Sequence, residues 1–222
     1  MAAMRAGDAG ALAPARRGVF VVFEGVDRSG KSTQCRLLVE SLHARGRAAE
    51  LRRFPERSTA VGQIIDRYLR REIELDDKAV HLLFSANRWE AVSALRASID
   101  AGIDVVCDRY AYSGVAFSAA KPTIDDLDWC KAPDAGLPQP DAVIFLQLAN
   151  DAAEQREGFG GERYEESEMQ KRVAANFAEL RGDSAIWTVV DASQTIEAVQ
   201  ADVLRVVDEA RAATEKPLEA LW

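Results

Sequence analysis

The sequence predicts an α/β fold in which a central parallel sheet of about five strands is covered by helices on both faces. Short apolar runs rich in β-branched residues alternate with longer segments of helical periodicity, the pattern of parallel strands joined by crossover helices. Candidate strands such as residues 141–148 are apolar almost throughout, as strands buried on both faces are. The chain of 222 residues shows neither an internal repeat nor a linker, so we expect a single domain over residues 18–222.

The first half of the chain is predicted to contain two strands and three helices. Residues 19–24 form an apolar first strand, and the spacing of apolar residues predicts a helix over residues 31–45. A second strand is expected at residues 48–54 and a second helix at residues 58–71. A longer stretch of helical periodicity predicts one continuous helix over residues 77–100.

The second half continues the alternation. An apolar strand is expected at residues 103–108, and residues 110–135 are mixed, with short helical pieces at 112–119 and 125–131. The remaining predicted elements are a strand at 141–148, a polar loop at 157–161, helices at 167–181 and 195–213, and a last strand at 186–190. Because ligands of such sheets bind at the carboxyl ends of the strands, we expect the functional residues directly after the first three strands.

Composition and charge exclude several classes of protein. The formal net charge is −8, which argues against nucleic acid as a partner, since general nucleic-acid-binding proteins are basic. No apolar run approaches the roughly 20 residues of a membrane span, so no membrane partner is expected. A phosphate site in so acidic a chain requires a local cluster of positive groups.

The cysteines and the N-terminus bear on the cellular compartment. The three cysteines, Cys35, Cys107 and Cys130, fit neither a disulfide framework nor a zinc site, which favours a reducing, cytoplasmic environment. Residues 1–17 lack periodicity and predict a flexible tail. The tail lacks the apolar segment of a secretory signal, while a nuclear or organellar location stays open.

A phosphate-binding loop is the most specific motif in the chain. Residues 25–32 have the sequence GVDRSGKS and match G-x-x-x-x-G-K-[ST] between a predicted strand and a predicted helix, the context that this motif requires. Its glycines let successive N–H groups turn toward phosphate oxygens, and the helix N-terminus adds its positive dipole. We expect Lys31 to contact the β- and γ-phosphates and Ser32 to bind Mg²⁺.

Two variable positions of this loop carry charge. The Asp27 carboxylate lies in a loop built for anions, so it needs a partner of its own, either a ligand hydroxyl or a cation. Arg28 has two interpretations: it neutralises Asp27, or it lies against the γ-phosphate and supplies positive charge to the transition state.

Charged residues also follow the second and third strands. Asp108, at the end of the strand at 103–108, is placed to organise Mg²⁺, and Arg109 then faces a phosphate across the cleft from the loop. Arg57 ends the segment after the second strand. Phe84 and Arg88 are four residues apart on one helix face. Two interpretations stay open: together they provide a stacking surface and hydrogen-bond donors for a base, or Phe84 is a core residue and Arg88 a solvated charge.

GTP-binding switch proteins are a competing class with the same loop. The sequence lacks the N-K-x-D motif for guanine, and its only D-x-x-G lies inside the phosphate loop. This class is therefore set aside.

Seven ordered segments resemble the thymidylate (dTMP) kinase family, in its eukaryotic type with an arginine in the phosphate loop. They are FEGVDRSGKSTQ, RFPERST, VHLLFSANRWE, VCDRYAYSGVAFS, LDWCKAPDAGLPQPDAVIFLQL, FGGERYE and ATEKPLEALW. The resemblance covers about residues 18–222. It implies a three-layer P-loop nucleoside-monophosphate-kinase-like fold with a mobile lid at about residues 153–165.

The resemblance implies an enzyme that transfers the γ-phosphoryl group of MgATP to dTMP, giving dTDP and ADP. Preference between dTMP and dUMP stays open, and a homodimer is expected. The alternatives are a P-loop kinase for another nucleotide or a deoxynucleoside, and a nucleotide-binding module without turnover.

The resemblance also implies roles for individual residues. The expected catalytic residues are Arg28, Lys31, Asp27, Arg109 and Arg163. The expected ATP-binding residues are Gly25, Val26, Asp27, Arg28, Ser29, Gly30, Lys31, Ser32, Thr33, Arg156, Ser193, Gln194 and Thr195. The expected dTMP-binding residues are Asp27, Phe54, Pro55, Arg57, Phe84, Arg88, Arg109, Ser113, Gly114, Phe117, Tyr164 and Gln170. Mg²⁺ is assigned to Ser32 and Asp108. Tyr164 is expected under the sugar, where a 2′-hydroxyl would clash.

Overall fold

A computed structural model describes residues 16–124, 126–148, 163–164, 167–214 and 217–222. The predicted tail lies outside the described residues except for Arg16 and Arg17. Most of the predicted lid also lies outside them, including Arg156 and the glycine pair at 160–161. Within the described ranges, no helix has the length and apolar character needed to cross a bilayer.

A parallel sheet of five strands forms the centre of the described structure, which confirms the predicted fold class. In chain order the strands are β1 (Phe20–Glu24), β2 (Ala49–Arg53), β3 (Asp104–Asp108), β4 (Ala142–Gln147) and β5 (Trp187–Asp191). Their spatial order is β2-β3-β1-β4-β5. Phe23 of β1 is in register with Asp108 of β3, so the ends of these neighbouring strands meet at one edge of the sheet.

Helices connect the strands and cover both faces. They are α1 (Lys31–Ala44), α2 (Ala60–Leu69), α3 (Asp77–Trp89), α4 (Val92–Asp100), α5 (Ala111–Ala119), α6 (Leu127–Lys131), α7 (Ser167–Arg181) and α8 (Ile196–Ala213), with a 3₁₀ turn at Ala132–Asp134. Local sequence explains several boundaries. Thr59 and Thr195 cap α2 and α8 by accepting the amide hydrogens of Gly62 and Ala198.

The prediction of one helix over residues 77–100 is wrong, because α3 ends at Trp89 and α4 begins at Val92. Neither glycine nor proline marks the break. Contacts with distant residues hold the end of α3 instead. The Trp89 indole donates to the carbonyl of Pro133 at 2.7 Å, and Glu90 accepts from the Thr59 hydroxyl at 2.7 Å. These tertiary contacts override the local periodicity.

Two apolar cores lie on opposite faces of the sheet. Successive side chains of a strand point to opposite faces. Phe20 and Val22 of β1 accordingly pack on the side of α4, α5 and α7, whereas Val21 and Phe23 pack on the side of α1 and α8. Each fully buried side chain of this size contributes about 1.5–3 kcal/mol. The layers thus form a rigid base under the strand ends.

The amino ends of the strands are held together by two carboxylates, the buried Asp104 and the partly buried Asp141. Asp104, at the start of β3, accepts from the Val19 amide at 2.8 Å, from Arg47 Nε at 2.8 Å and from Arg211 at 2.9 Å. Asp141, before β4, accepts from both terminal nitrogens of Arg17 at 2.8 and 2.7 Å. These ion pairs lie at the edge of the sheet opposite the carboxyl ends.

Candidate active site

A cavity of about 540 Å³ lies at the carboxyl ends of β1, β2 and β3. The three loops that follow these strands supply much of its wall, as the fold class predicts. The lining residues are Asp27, Arg28, Gly30, Lys31, Ser32, Thr33, Arg53, Phe54, Pro55, Arg57, Leu69, Phe84, Arg88, Asp108, Arg109, Tyr110, Ser113, Gly114, Phe117, Ser118 and Tyr164. The cavity therefore brings together most of the residues that the sequence singles out.

The phosphate loop curls around the side chain of Lys31. Lys31 is buried, and its Nζ donates to the carbonyls of Gly25 at 3.1 Å and Val26 at 2.8 Å. Burial lowers the pKa of Lys31 to about 8, and the nearby Arg109 guanidinium lowers it as well. A Cβ at Gly25 would come within 2.6 Å of the Leu146 carbonyl oxygen, so only glycine fits the start of the loop.

Ser32 and Asp108 meet at the mouth of the loop. The Ser32 hydroxyl donates to Asp108 Oδ2 at 2.5 Å. The other oxygen of this buried carboxylate, Oδ1, has no hydrogen-bond partner among the described residues. An unpaired buried carboxylate oxygen beside a hydroxyl matches the hard oxygen ligands that Mg²⁺ prefers, with phosphate oxygens completing its shell. The two residues thus fit the cation that the sequence assigns to them.

Arg53 is a cavity residue that the sequence analysis did not single out. It is the last residue of β2, and its Nε lies 3.6 Å from Asp108 Oδ2. Its place near the carboxyl end of the strand predicted at residues 48–54 is the sequence signal that points to it. Arg53 adds positive charge at the point where Ser32 and Asp108 meet.

Asp27 of the phosphate loop and Arg109, which follows β3, form an ion pair. Arg109 also donates to the Gly25 carbonyl of that loop at 3.3 Å, so it lies against the loop and not across the cleft from it, where the sequence predicts it. Arg109 Nη2 donates to Asp27 Oδ1, and Arg109 Nη1 donates to the Ser113 hydroxyl at 3.0 Å. Gln170, from α7, donates to the other Asp27 oxygen at 2.8 Å and to the Tyr164 carbonyl at 2.8 Å. Of the two partners that the sequence allows Asp27, the structure shows a cation, Arg109. Gln170 lies behind Asp27 and outside the cavity lining.

Glu24 anchors the start of α5 and was missed as a site residue. This buried carboxylate accepts from the amides of Tyr110 and Ser113 at 3.0 Å each and from the Ser113 hydroxyl at 2.5 Å. Burial raises the pKa of Glu24, although these hydrogen bonds and Arg109 oppose the shift. Glu24 thereby ties β1 to the segment that carries Arg109.

The loop after β2 carries Arg57 and is held by Asn87. The Phe54–Pro55 peptide bond is cis. The buried Asn87 side chain accepts from the Glu56 amide at 2.7 Å and donates to the Glu56 carbonyl at 3.1 Å. Arg57 donates to Asp66 of α2 at 2.7 Å. Asn87 is a second positioning residue that the sequence analysis missed.

The far end of the cavity contains Phe84 and Arg88 of α3, as predicted. The Arg88 guanidinium lies against Gly114 of α5, where a Cβ would be 2.7 Å from Nη2 and 2.8 Å from Nη1. The guanidinium donates to Asp134 through Nε at 3.1 Å and Nη2 at 2.5 Å. Asp134 is the fourth residue that the sequence analysis did not identify, after Arg53, Glu24 and Asn87.

The two described lid residues have different positions. Tyr164 lines the cavity, and its ring centroid lies 5.6 Å from that of Phe117. Arg163 donates to the Tyr68 carbonyl at 3.1 Å and to Glu74 at 2.7 Å, and its guanidinium lies over the Tyr68 ring. In this structure Arg163 is not part of the cavity lining. Its expected catalytic role stays a prediction.

The segment expected beside adenine lies near the start of α1. Thr195 caps α8. The Ser193 hydroxyl donates to the Asp191 carboxylate, and the side-chain amide of Gln194 donates to the Asp191 backbone carbonyl. Gln34 of α1 donates to the carbonyl of Ile196 at 3.0 Å, which places the segment behind the phosphate loop. It does not line the cavity.

Comparisons with known proteins agree with this geometry. A family model described as Thymidylate kinase matches residues 23–203. The thymidylate kinase of Homo sapiens is 53% identical over 210 residues, covering 94% of this chain and 99% of that protein. The thymidylate kinase of Arabidopsis thaliana is 49% identical over 208 residues, covering 93% of this chain and 78% of that protein. A solved structure of the thymidylate kinase from Candida albicans matches with a TM-score of 0.86 at 33% identity, covering 93% of this chain and 99% of that one.

Proposed function

The chain belongs to the thymidylate kinase family, and from this premise we propose that it is an enzyme that transfers the γ-phosphoryl group of ATP to the 5′-phosphate of dTMP, giving dTDP and ADP. The observation that carries the proposal is that two positive sites share one cavity. Lys31 and the phosphate loop form one site, and Arg57 and Arg109, from the loops after β2 and β3, line the same cavity beside it. A single phosphate tail needs only the first site, whereas two phosphorylated substrates need both.

The donor site is assigned to the loop between β1 and α1. Its amides and Lys31 would bind the ATP phosphates, and Arg28 would stabilise charge on the transferring group. Ser32 and Asp108 would hold Mg²⁺, which when bound neutralises phosphate charge. The segment at 193–195 and Arg156 would contact the adenine.

The acceptor site is assigned to the loops after β2 and β3. Arg57 and Arg109 would bind the 5′-phosphate of dTMP, and Asp27 would accept from the 3′-hydroxyl. Phe84 would stack on thymine and Arg88 would donate to its O4. The support for these roles is that all five side chains line one cavity.

Phosphoryl transfer depends mainly on positioning and charge stabilisation. Two anionic substrates repel each other, and the cations Lys31, Arg28, Arg57 and Arg109 offset that repulsion inside the cavity. Tyr164 lines the cavity beside Phe117, where it would exclude water and a 2′-hydroxyl. Exclusion of water prevents hydrolysis of the transferring group.

We also propose a homodimer in the cytoplasm. Leu82 and Trp89, seven residues apart on α3, are 48% and 41% exposed, which supports a helix face that is free to pack against a second copy. The cysteines are buried free thiols, which supports a reducing compartment.

The acceptor profile tests the proposed reaction. ADP release from ATP is measured with dTMP, dUMP, dCMP, AMP and dGMP at equal concentrations. We expect the highest kcat/KM with dTMP or dUMP. A different monophosphate as the best acceptor, or ATP binding without transfer to any of them, would contradict the proposal. Lys31→Met, prepared in the same way, excludes a contaminating kinase, since its activity should fall to background.

A further inference from the structure

We propose that Asp134 is a positioning residue for base recognition: it orients Arg88 so that only N–H donors face the pyrimidine, which selects a 4-oxo over a 4-amino base. This inference rests on the proposed function, because it concerns the base of the acceptor nucleotide. It assigns a role to a residue of the 3₁₀ turn that is 46 positions from Arg88 in the chain.

The geometry of the pair restricts the guanidinium. Asp134 is 0% exposed and Arg88 is 2% exposed. One carboxylate oxygen accepts from Arg88 Nε at 3.1 Å and the other from Nη2 at 2.5 Å. Such a bidentate pair has one planar arrangement. It occupies Nε and one hydrogen of Nη2, and leaves both hydrogens of Nη1 and the second hydrogen of Nη2 available.

Other contacts fix the carboxylate and the guanidinium in turn. The Ser85 hydroxyl, one turn before Arg88 on α3, donates to Asp134 Oδ1 at 2.7 Å. On the opposite side Gly114 lies so close that an added Cβ would overlap the guanidinium. Arg88 is therefore confined between α5 and the 3₁₀ turn. Among the described residues, its remaining donors have no hydrogen-bond partner, and Arg88 lines the cavity.

The chemistry of those donors decides between bases. A guanidinium has no acceptor, so it satisfies a carbonyl at C4 and leaves an amino group at C4 without a partner. Sites built to hydrogen-bond a substrate group reject analogues that lack it, because buried polar groups are then unpaired. A freely rotating Arg88 would lose this discrimination, since it could turn its donors away from an amino group.

A role in stability alone does not account for this arrangement. Buried ion pairs are often replaceable by apolar residues without loss of stability. Arg88, the basic member of the pair, lines a cavity, and the buried Asp134 holds this side chain, which is expected to contact substrate.

The test combines a change in the protein with a change in the substrate. Wild type and Asp134→Asn are assayed with dTMP, with dCMP, and with the dTMP analogue that carries hydrogen in place of O4. In wild type we expect kcat/KM to fall by about 100-fold or more on loss of O4. In Asp134→Asn we expect kcat/KM for dTMP to fall by about tenfold or more, mainly through KM, and the ratio of dTMP to the analogue to shrink to within about fivefold.

Asp141→Asn is the matched control. It breaks the bidentate pair with Arg17 at the opposite edge of the sheet, so it should lower stability and keep the wild-type ratio. Ser85→Ala is the milder second variant, and it should lower the ratio of dTMP to the analogue by about threefold or more by freeing one side of the carboxylate. If Asp134→Asn does not fold, Ser85→Ala decides the outcome.

The outcomes separate the two proposals. If wild type does not phosphorylate dTMP, the proposed function fails. If wild type phosphorylates dTMP and analogue equally well, or if the variants keep the full wild-type ratio, the role of Asp134 is wrong while the proposed function stands. Collapse of the ratio in the Asp134 and Ser85 variants, with Asp141→Asn unchanged, supports the role.

Discussion

At the scale of single residues, two arginines of the cavity have an unusual backbone. Arg28 and Arg109 have φ values of 61° and 69°, in the left-handed region that non-glycine residues rarely adopt. Such conformations cost about 1–3 kcal/mol each and are kept where the surrounding structure enforces them, commonly at functional sites. The backbone turn after β1 and after β3 directs both side chains toward the same cavity.

Lys31 gives a prediction about pH. Its pKa of about 8 means that half of the Lys31 side chains have lost the ammonium proton near that pH. Since phosphates bind the protonated form, we expect the Kd for ADP to be constant near pH 7 and to rise toward about tenfold per pH unit well above the pKa. The measurement is calorimetric titration with ADP at constant ionic strength. A Kd that does not change between about pH 7.5 and 9.5 would contradict the assignment.

Lys31→Arg is the control for this pH dependence. A guanidinium keeps its charge throughout the range, so the variant should bind ADP more weakly and without the rise. A rise that persists in Lys31→Arg would assign the titration to another group.

At the residue scale, local motifs were predictable from sequence and distant partners were not. The phosphate loop is a contiguous motif, and the residues that it contains lie where the sequence predicts. Glu24, Asn87 and Asp134 act on residues 86, 31 and 46 positions away. Each is an ordinary polar residue in its local sequence, so nothing nearby distinguishes it from a solvated side chain.

At the scale of secondary-structure elements, the first turn of α2 controls the loop that carries Arg57. Gly62 packs so closely against this loop that an added Cβ would lie 1.8 Å from the Glu56 carbonyl oxygen. The Gly62 amide donates to the hydroxyl of Thr59, which caps the helix. Helix α2 and the loop therefore hold each other in position.

Gly62→Ala tests this coupling. We expect the added methyl group to push the loop from α2 and to raise the KM for dTMP by about tenfold or more, because misplacing a substrate-positioning group is costly. The KM for ATP should change less than about twofold, since the phosphate loop is a separate segment. Steady-state kinetics with each substrate varied in turn measures both values.

Gly46→Ala is the matched control for Gly62→Ala. Gly46 has open space around its Cα but a φ of 73°, so alanine there should cost about 1 kcal/mol of stability and leave both KM values unchanged. An unchanged KM for dTMP in Gly62→Ala would show that the loop tolerates the displacement.

The elements also show where periodicity fails as a guide. The strands and most helices lie within a few residues of their predicted bounds, because apolar spacing reflects burial directly. The division between α3 and α4 depends on the contacts of Trp89 and Glu90 with residues 133 and 59. Periodicity within one segment carries no information about those contacts.

At the scale of the whole molecule, the two ends of β3 carry carboxylates with different roles: one stabilises the fold and the other belongs to the cavity. Asp104 begins the strand and holds Arg47, Arg211 and the Val19 amide, while Asp108 ends it in the cavity. Four residues of extended strand place the two carboxylates about 13 Å apart.

Asp104→Ala should destabilise the protein and spare its activity. The change removes the carboxylate that accepts from two guanidinium groups and from a buried amide, so we expect the free energy of unfolding to fall by about 3 kcal/mol or more. In a chain of this size the Tm would fall by about 6 °C or more. The kcat of the folded enzyme should stay within about twofold of wild type, because the change is remote from the cavity.

Asp108→Ala is expected to behave in the opposite way, losing activity with a smaller change in Tm. Thermal unfolding and kinetics are measured on both variants at a temperature where each is folded. Loss of kcat in Asp104→Ala without a change in Tm would contradict the separation of roles along β3.

The ion pair between Arg109 and Asp27 gives each of these two charges a partner within the protein. On the assignment proposed above, dTMP must exchange that contact for two new ones, a phosphate on Arg109 and a hydroxyl on Asp27. Inorganic phosphate offers only the contact with Arg109, and it would leave the Asp27 carboxylate unpaired beside another anion. The pair thus favours a molecule that brings both groups at the right separation, because only such a molecule replaces both partners of the ion pair. It disfavours simple anions such as inorganic phosphate.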